Sequence, residues 1–298
     1  MTFLLRRLLA SLLQIAAASV LTFALFTLVP GDFYSTENFN PQRSPTAIEH
    51  DRQSAGLRQS WPARYATWIE SCAVGEFGVS LAYGMPVGRL LAPRLRATMN
   101  IALPAFLLAW LAGLALALAA QRRPGLVNGS FTSLAAASAL IPDGIAVSVL
   151  LWLAVRLGTP ITGPPLPILG LAFALFPVVF LHAAAGLANA RQQLFVRLAQ
   201  QRGLSGARLW LRYILPAAAN PLVSLLGLSF AAAIGSSLLV EALTGWPGLG
   251  PLFLEAVQSR DYPIVQSVLL LLTIALALAN LVTDLLLYRL DPRIRTAR

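Results

Sequence analysis

The chain has 298 residues, of which 57% are hydrophobic and only 11% are charged, and its mean hydropathy is +0.71. A water-soluble domain averages about 25% charged residues, so this composition excludes an ordinary soluble protein. The formal net charge of +10 comes from arginine with no lysine, and the single cysteine, Cys72, excludes an intrachain disulfide framework.

The first apolar run covers residues 8–29 and contains no charge, and Arg6 and Arg7 stand just before it. Its 22 residues exceed the roughly 7–15 of a secretory signal core and suffice to span about 30 Å of hydrocarbon. We predict an uncleaved transmembrane helix, which makes residues 1–30 the first domain. A twin-arginine export signal is the alternative interpretation, and the length of the run argues against it.

Residues 31–98 form a long polar segment with seven arginines and six acidic residues, a net charge of +1. The spacing of Trp61, Tyr65 and Trp68 predicts a short helix that lies on the membrane surface. The cluster Glu49-His50-Asp51 does not predict a metal site, because adjacent side chains point apart and no second half of a site follows. We expect this segment to be a solvated loop outside the cell membrane.

Five more apolar runs follow, and each is long enough to cross a bilayer. Backbone polar groups in lipid have to be hydrogen-bonded within their own segment, so these runs predict helices. The sequence therefore predicts an all-α membrane protein with six transmembrane helices, the last five of which form a core domain over residues 99–298. The five runs are residues 100–120, 131–157, 166–189, 217–240 and 263–287.

The arginines predict the orientation of these helices. If the N-terminus is cytoplasmic, the cytoplasmic segments collect thirteen arginines and a single acidic residue outside a helix, Asp291. Such an excess agrees with the positive-inside rule, so both termini are predicted to be cytoplasmic. The thirteen are Arg6, Arg7, Arg122, Arg123, Arg191, Arg197, Arg202, Arg208, Arg212, Arg289, Arg293, Arg295 and Arg298.

Two carboxylates lie inside predicted spans. Asp143 falls near the middle of the third span, where a charge costs on the order of 2.5–3.5 kcal/mol unless it faces protein or water. It either contacts a cationic group, such as a peptide amino terminus, or is a carboxyl at a proline kink. His182 is a candidate partner, or else a histidine that is merely hydrogen-bonded. Asp284 is predicted to pair with a nearby arginine such as Arg289.

The predicted cytoplasmic loop, residues 190–215, contains five arginines and no acid. It begins with one apolar helical stripe, which Gly203 interrupts. Ser205 is placed to cap a second short helix over residues 206–212, and Pro216 fits the first turn of the next span. The arginines indicate either contact with an acidic partner or retention on the positive side alone. The stripe comprises Leu194, Phe195, Leu198 and Ala199.

This loop is similar in spacing to the EAA loop of ABC importer permeases, although Arg-Leu replaces the initial Glu-Ala. Arg197-Leu198-Ala199, Gly203 and Tyr213-Ile214-Leu215-Pro216 fall in register. Other segments resemble the dipeptide, oligopeptide and nickel permeases in the same order along the chain. They are Leu28-Val29-Pro30-Gly31-Asp32, Gly75-Glu76-Phe77-Gly78-Val79-Ser80-Leu81, Val240-Glu241-Ala242, Gly245-Trp246-Pro247-Gly248-Leu249-Gly250, Arg260-Asp261-Tyr262-Pro263 and Leu290-Asp291-Pro292-Arg293.

The resemblance implies a type I importer permease in the bacterial inner membrane. It has a periplasmic loop after helix 1 and a coupling helix between helices 4 and 5 that docks on an ATPase. The implied docking residues are Arg197, Leu198, Ala199, Gly203, Leu204, Ser205, Arg208, Leu215 and Pro216. The fifth span, rich in small residues for close packing, is implied to lie beside the pathway, for which the candidates are Asp143, Ser229, Ser236 and Ser237.

The implied partners are a second related permease subunit or a second copy of this chain, two ATP-binding subunits, a periplasmic substrate-binding protein and membrane lipid, with no nucleic acid. ATP and Mg²⁺ are expected on the ATPases, because this sequence lacks lysine and hence the Gly-x-x-x-x-Gly-Lys loop. We expect no catalytic residues, no metal and no cofactor on this chain.

Two other classes of function fit the sequence poorly. An intramembrane enzyme needs a nucleophile and a base, whereas the sequence has no Gly-x-Ser-Gly or His-Glu-x-x-His motif and only two distant histidines. An ion channel is disfavoured because a carbonyl filter motif and a helix with regularly spaced arginines are both missing. Within the transporter class, peptides are the preferred substrate, with nickel chelates, opines, sugars or another small solute as the alternative.

Overall fold

A computed structural model describes residues 2–28, 31, 33–37, 44–54, 59–122, 126–159 and 163–290. These residues are almost entirely helical, and Val79 and Pro86 form an isolated antiparallel bridge. A five-residue π-helical turn, Trp210–Ile214, precedes α11. The helices are α1 Thr2–Leu28, α2 Phe33–Glu37, α3 Pro45–Ser54, α4 Trp61–Ala73, α5 Val87–Arg122, α6 Leu126–Ala139, α7 Asp143–Arg156, α8 Pro165–Gln192, α9 Leu194–Gln201, α10 Gly206–Leu209, α11 Leu215–Thr244, α12 Leu249–Gln258 and α13 Tyr262–Leu290.

Five of these helices, α1, α5, α8, α11 and α13, are long and apolar enough to cross a membrane as continuous segments. Helix α5 begins at Val87, well before the apolar run that predicts it. Its first turns carry arginines, so hydropathy marks only the part of the helix that fits hydrocarbon. The boundary at residue 98 therefore lies within a helix.

The third predicted span is a broken one. Instead of one helix over residues 131–157, α6 and α7 meet at an angle of 100°. Pro142 precedes α7 with φ −57° and ψ 140°, an extended conformation that no helix interior adopts. Proline has no N–H and excludes the helical conformation of the residue before it, so the continuous helix is wrong at this point. Counted as one bent span, the pair brings the number of spans described here to six.

Small residues let the long helices approach closely, as the composition of the fifth span predicts. A β-carbon on Gly113 of α5 would lie 2.9 Å from the Val179 side chain of α8. A β-carbon on Gly227 of α11 would overlap the Thr283 hydroxyl of α13. The core of the bundle therefore depends on the contacts of α5 with α8 and of α11 with α13.

Helix α1 is held at both of its ends. Arg7 forms an ion pair with Asp284 of α13 at 3.1 Å. The sequence predicts that Asp284 pairs with a nearby arginine such as Arg289, whereas this partner lies on a different helix. At the other end, Phe23 lies against the rings of Tyr65 and Trp68 on α4, with centroids 5.5 and 6.0 Å away. The short helix predicted from the aromatic spacing is therefore confirmed as a helix, and it packs on α1.

Candidate functional site

The coupling loop, residues 190–215, forms the compact structure that its pattern predicts. Gly203 ends α9 with φ +85°, a conformation that residues with a β-carbon rarely adopt. Ser205 occupies the N-cap position of α10, but its side chain makes no capping hydrogen bond, so the predicted cap is absent. Helix α10 ends at Leu209 and the chain continues through the π-helical turn, with Pro216 in the first turn of α11.

The apolar stripe of α9 divides between two surfaces. Of its four predicted residues only Ala199 is buried. Ala199 packs with Val196, which lies outside the predicted stripe, against α5, α8 and the start of α11, and Leu204 packs on the same cluster. Leu194, Phe195 and Leu198, in contrast, are 72%, 48% and 45% exposed. Together with Leu211, which is 68% exposed, they are the large apolar side chains that this loop exposes, a set that we call the coupling patch. The same loop carries four exposed arginines: Arg197, Arg202, Arg208 and Arg212.

The base of the loop is joined to α5. The Arg191 guanidinium donates a hydrogen bond of 2.7 Å to the carbonyl oxygen of Gln121 and lies 5.9 Å from the Trp210 ring. Gln121 in turn donates from its amide nitrogen to the Ala184 carbonyl of α8 at 3.2 Å. These contacts join the base of the loop to α5, to α8 and to the π-helical turn that leads into α11.

Asp143 begins α7, directly after the break in the third span. Its Oδ2 accepts a hydrogen bond of 2.6 Å from the hydroxyl of Ser236 on α11, so two of the four predicted pathway residues meet. Both side chains are partly exposed, and Gly235 and Leu239 of the same helix, α11, are exposed as well. The Nδ1 atom of His182 lies 2.8 Å from the Val178 carbonyl oxygen, as expected for a merely hydrogen-bonded histidine.

The other two pathway candidates lie inside the bundle. Ser229 is 2% exposed, accepts a hydrogen bond of 2.9 Å from the Trp110 indole and donates to the Leu225 carbonyl at 2.6 Å. Ser237 is fully buried and donates to the Ile234 carbonyl at 2.8 Å. Their hydroxyls are used in packing contacts between helices and within α11, away from the exposed face that carries Gly235.

A buried carboxylate that sequence reasoning did not single out organises the end of the bundle opposite the coupling loop. Glu241 is fully buried in α11, and its Oε2 accepts a hydrogen bond of 2.7 Å from the Gly250 N–H. The Thr98 hydroxyl accepts one of 2.9 Å from the Leu249 N–H, so the first two amides of α12 have side-chain partners. The sequence does contain a signal for this role, because Glu241 directly follows the apolar run 217–240 and precedes the glycine-rich turn 245–250.

A second buried carboxylate joins the segment after α4 to the start of α13 at the same end of the bundle. Asp261 accepts hydrogen bonds from the Ser80 hydroxyl and, at 3.0 Å, from the Ala82 N–H. Trp246 adds a hydrogen bond of 2.9 Å from its indole to the Ala97 carbonyl. Four of the segments that carry the family resemblance, residues 75–81, 240–242, 245–250 and 260–263, therefore take part in contacts at this end of the bundle, which their order in the sequence did not reveal.

Comparison with known proteins agrees with this architecture. Residues 111–296 match the family described as "Binding-protein-dependent transport system inner membrane component", and residues 1–102 match the N-terminal region of the same class of membrane component. The solved inward-facing MetNI methionine ABC transporter is similar in fold. Its TM-score is 0.59 and its sequence identity 17%, with 68% of this chain and 96% of that chain covered.

The relatives match this chain over nearly the whole of both sequences. The probable peptide ABC transporter permease protein y4tP of Sinorhizobium fredii is 28% identical, with 98% of this chain and 99% of the relative covered. The glutathione transport system permease proteins GsiC of Escherichia coli K12 and Salmonella choleraesuis are 29% and 30% identical, with 99% of each chain covered. Since the family match covers more than half of the chain, this protein belongs to the binding-protein-dependent transport system inner membrane component family and is the permease subunit of an ABC importer.

Proposed function

We propose that the chain forms half of a translocation pathway for peptides, driven by ATP hydrolysis on partner subunits. The proposed assembly contains a second permease subunit or a second copy of this chain, two ATP-binding subunits and a periplasmic binding protein. The names of relatives, a peptide permease and a glutathione permease, support a peptide substrate. The sequence lacks the phosphate-binding Gly-x-x-x-x-Gly-Lys loop, and this supports the proposal that partner subunits hydrolyse the ATP.

The coupling patch is the observation that carries the proposal. Exposed leucine and phenylalanine side chains on a short loop are costly in water and are typical of a surface that a partner covers. The exposed arginines of the same loop favour a partner with an acidic rim, since complementary charge increases the rate and specificity of association. We assign this loop to the cytosol, docked on an ATP-binding subunit, whose closure moves the helices joined by Arg191 as a body.

Asp143 is the proposed contact for the substrate in the pathway. Its carboxylate has one hydrogen-bond donor, Ser236, and no arginine pairs with it among the residues the structure describes. A carboxylate near the middle of a span needs compensation from water or from a cation. The protonated amino terminus of a peptide supplies that cation, and Gly235 on the adjacent face leaves room for it.

Uptake into proteoliposomes tests this assignment. The chain is reconstituted with its partner subunits, ATP inside and binding protein outside, and peptides with free or acetylated amino termini are compared. We expect Asp143→Asn to reduce uptake of free peptides about tenfold or more, the effect of losing a hydrogen bond to a charged group. Uptake of acetylated peptides should change little.

The control variant is Asp284→Asn, which removes a carboxylate on a different spanning helix, α13. That carboxylate is paired with Arg7, so its loss should lower both uptakes in parallel. If Asp143→Asn lowered the uptake of free and acetylated peptides equally, Asp143 would have a structural role and would not contact the peptide amino terminus. Uptake that persists without ATP or without the ATP-binding subunits would contradict the proposed function itself.

The proposed orientation places α4 in the periplasm, and Cys72 reports on it. Burial raises the pKa of the Cys72 thiol to about 11, and the thiolate is the form that attacks maleimides. Labelling should therefore be slow at neutral pH and rise about tenfold per pH unit between 7 and 10. We expect a membrane-impermeant maleimide to label Cys72 in intact spheroplasts at high pH.

The matched site is Gln200→Cys on α9 in a Cys72→Ser background, because Gln200 is exposed on the coupling loop. This cysteine should react only after the membrane is permeabilised. Labelling of the Gln200 position from outside intact spheroplasts would reverse the assigned orientation.

A further inference from the structure

A cavity of about 590 Å³ opens between α1, α4, the turn after α4 and the start of α13. The pathway residues proposed above lie on α7 and α11, and neither helix contributes to the wall of this cavity. It lies at the end of the bundle opposite the coupling loop, where spanning helices α1 and α13 emerge. The cavity is therefore separate from the proposed translocation pathway.

Among the residues that the structure describes, one charged side chain lines the cavity, Arg64 of α4. Its guanidinium lies 5.6 Å from the ring centroid of Phe23 and 5.2 Å from that of Tyr262, so aromatic rings on two different spans fix its position. No carboxylate pairs with it among the described residues. The neighbouring acid, Asp261, accepts hydrogen bonds from Ser80 and Ala82 instead. A fixed arginine without an acid is a site for an anion.

Two further polar groups in the cavity wall lack partners. The indole nitrogen of Trp68 and the Oε1 atom of Gln266 are both buried and make no hydrogen bond. Gln266 is 1% exposed, so water does not satisfy it from the surface. Buried polar groups are nearly always hydrogen-bonded, and unpaired ones point to a missing ligand. Here the wall offers two donors, on Arg64 and Trp68, and one acceptor, on Gln266.

Much of the remaining wall is aromatic or apolar, including Phe23, Phe77 and Val79, and the other polar side chains that line it are Gln59, Thr67, Ser71 and Ser80. Aromatic side chains with one polar edge concentrate at the level of lipid headgroups, and Trp68 and Tyr262 fit that position at the ends of α1 and α13. Helix α1, which forms one side of the cavity, has only 11% of its apolar window buried within the chain, so most of its apolar surface is open to lipid or to another subunit.

We propose that this cavity binds the headgroup of a phospholipid, with the phosphate on Arg64 and Trp68 and a headgroup N–H or O–H directed to Gln266. Arginine recognises phosphate oxygens through two parallel N–H donors, and the aromatic rings hold it ready for that contact. In the orientation proposed above, the lipid belongs to the outer leaflet. The binding test below does not depend on that orientation or on transport.

The test is performed on delipidated protein in detergent, with short-chain phosphatidylglycerol and phosphatidylethanolamine as probes. Native mass spectrometry and thermal shift measure binding, and inorganic phosphate and glycerol 3-phosphate are tested at the same concentrations. We expect the two lipids to bind and stabilise the wild-type chain, and Arg64→Ala to weaken binding about tenfold or more. Trp68→Phe, which keeps the ring and removes the donor, should weaken binding less.

Arg89→Ala is the matched control, since Arg89 is exposed at the start of α5 and outside the cavity wall. It removes the same charge and should leave lipid binding unchanged. If Arg64→Ala and Arg89→Ala weakened lipid binding equally, the loss would come from the change in net charge alone, and the proposal would be overturned. Stabilisation by inorganic phosphate equal to that by lipid would identify the ligand as a free phosphate and overturn the lipid assignment. Arg64→Lys keeps the charge without the planar fork, so its intermediate affinity would distinguish lost binding from misfolding.

Discussion

Replacing Leu198 with aspartate is expected to abolish ATP-driven uptake while leaving the chain folded in the membrane. Leu198 is 45% exposed on the coupling patch, so the charge meets water in the isolated subunit. In the proposed complex the same position lies in the apolar centre of the contact with the ATP-binding subunit. Truncating or charging such a central residue costs about 2 kcal/mol or more, roughly a thirtyfold loss in affinity.

Co-purification measures this effect directly. A tagged Leu198→Asp chain should retain at least tenfold less ATP-binding subunit than the wild type, and reconstituted uptake should fall to background. Val74→Asp provides the control, because Val74 is 76% exposed on the loop between α4 and α5, at the opposite end of the bundle. Wild-type capture of the ATP-binding subunit by Leu198→Asp would remove the coupling patch from the interface.

The second large effect is expected from Gly250→Ala. A β-carbon at this position would overlap the carbonyl group of Leu238 and lie 3.0 Å from the Glu241 β-carbon. Because the obstacle is backbone, relief requires α12 to move away from α11, which breaks the hydrogen bond from Gly250 to Glu241. We expect a loss of about 3 kcal/mol, the combined effect of overpacking and an unpaired buried carboxylate.

Thermal unfolding of the purified chain in detergent should show this as a midpoint lower by roughly 5–10 °C. Gly235→Ala is the matched control, since Gly235 lies in α11 with no neighbouring atom within 4 Å of an added β-carbon. Alanine is the better helix former, so this variant should be at least as stable as the wild type. Equal midpoints for the two variants would show that the approach of α12 to α11 is not required.

The sequence predicted the number and type of the spans because that information is local. The length of each apolar run is compared with a fixed bilayer thickness. Residues 263–287, for example, are assigned as a span without information about any other part of the chain. Helix α5 shows the limit of this reasoning, since its polar first turns from Val87 continue the helix beyond the hydrocarbon. Pro142 marked the position of the break in the third span, but the 100° angle depends on the packing of α6 and α7 against α8.

The residues of the candidate site were less predictable, because their roles depend on distant partners. The pattern in α9 predicts one apolar stripe, yet Ala199 is buried and Leu198 is exposed, and an apolar side chain alone does not reveal which surface it faces. Asp143 and Ser236 are 93 residues apart in sequence and form one hydrogen bond. The four serine and aspartate candidates looked equivalent until the fold separated the two buried serines from this pair.

The hydrogen bonds at the end of the bundle opposite the coupling loop limit how such permeases can be recombined. Ser80 bonds to Asp261, Thr98 to Leu249 and Ala97 to Trp246, and each bond crosses the boundary between the two matched regions at residues 1–102 and 111–296. A chimera that exchanges residues 1–102 between relatives thus replaces one side of three buried or partly buried contacts at once. If residues 245–261 are exchanged together with residues 1–102, both partners of each hydrogen bond come from the same parent protein.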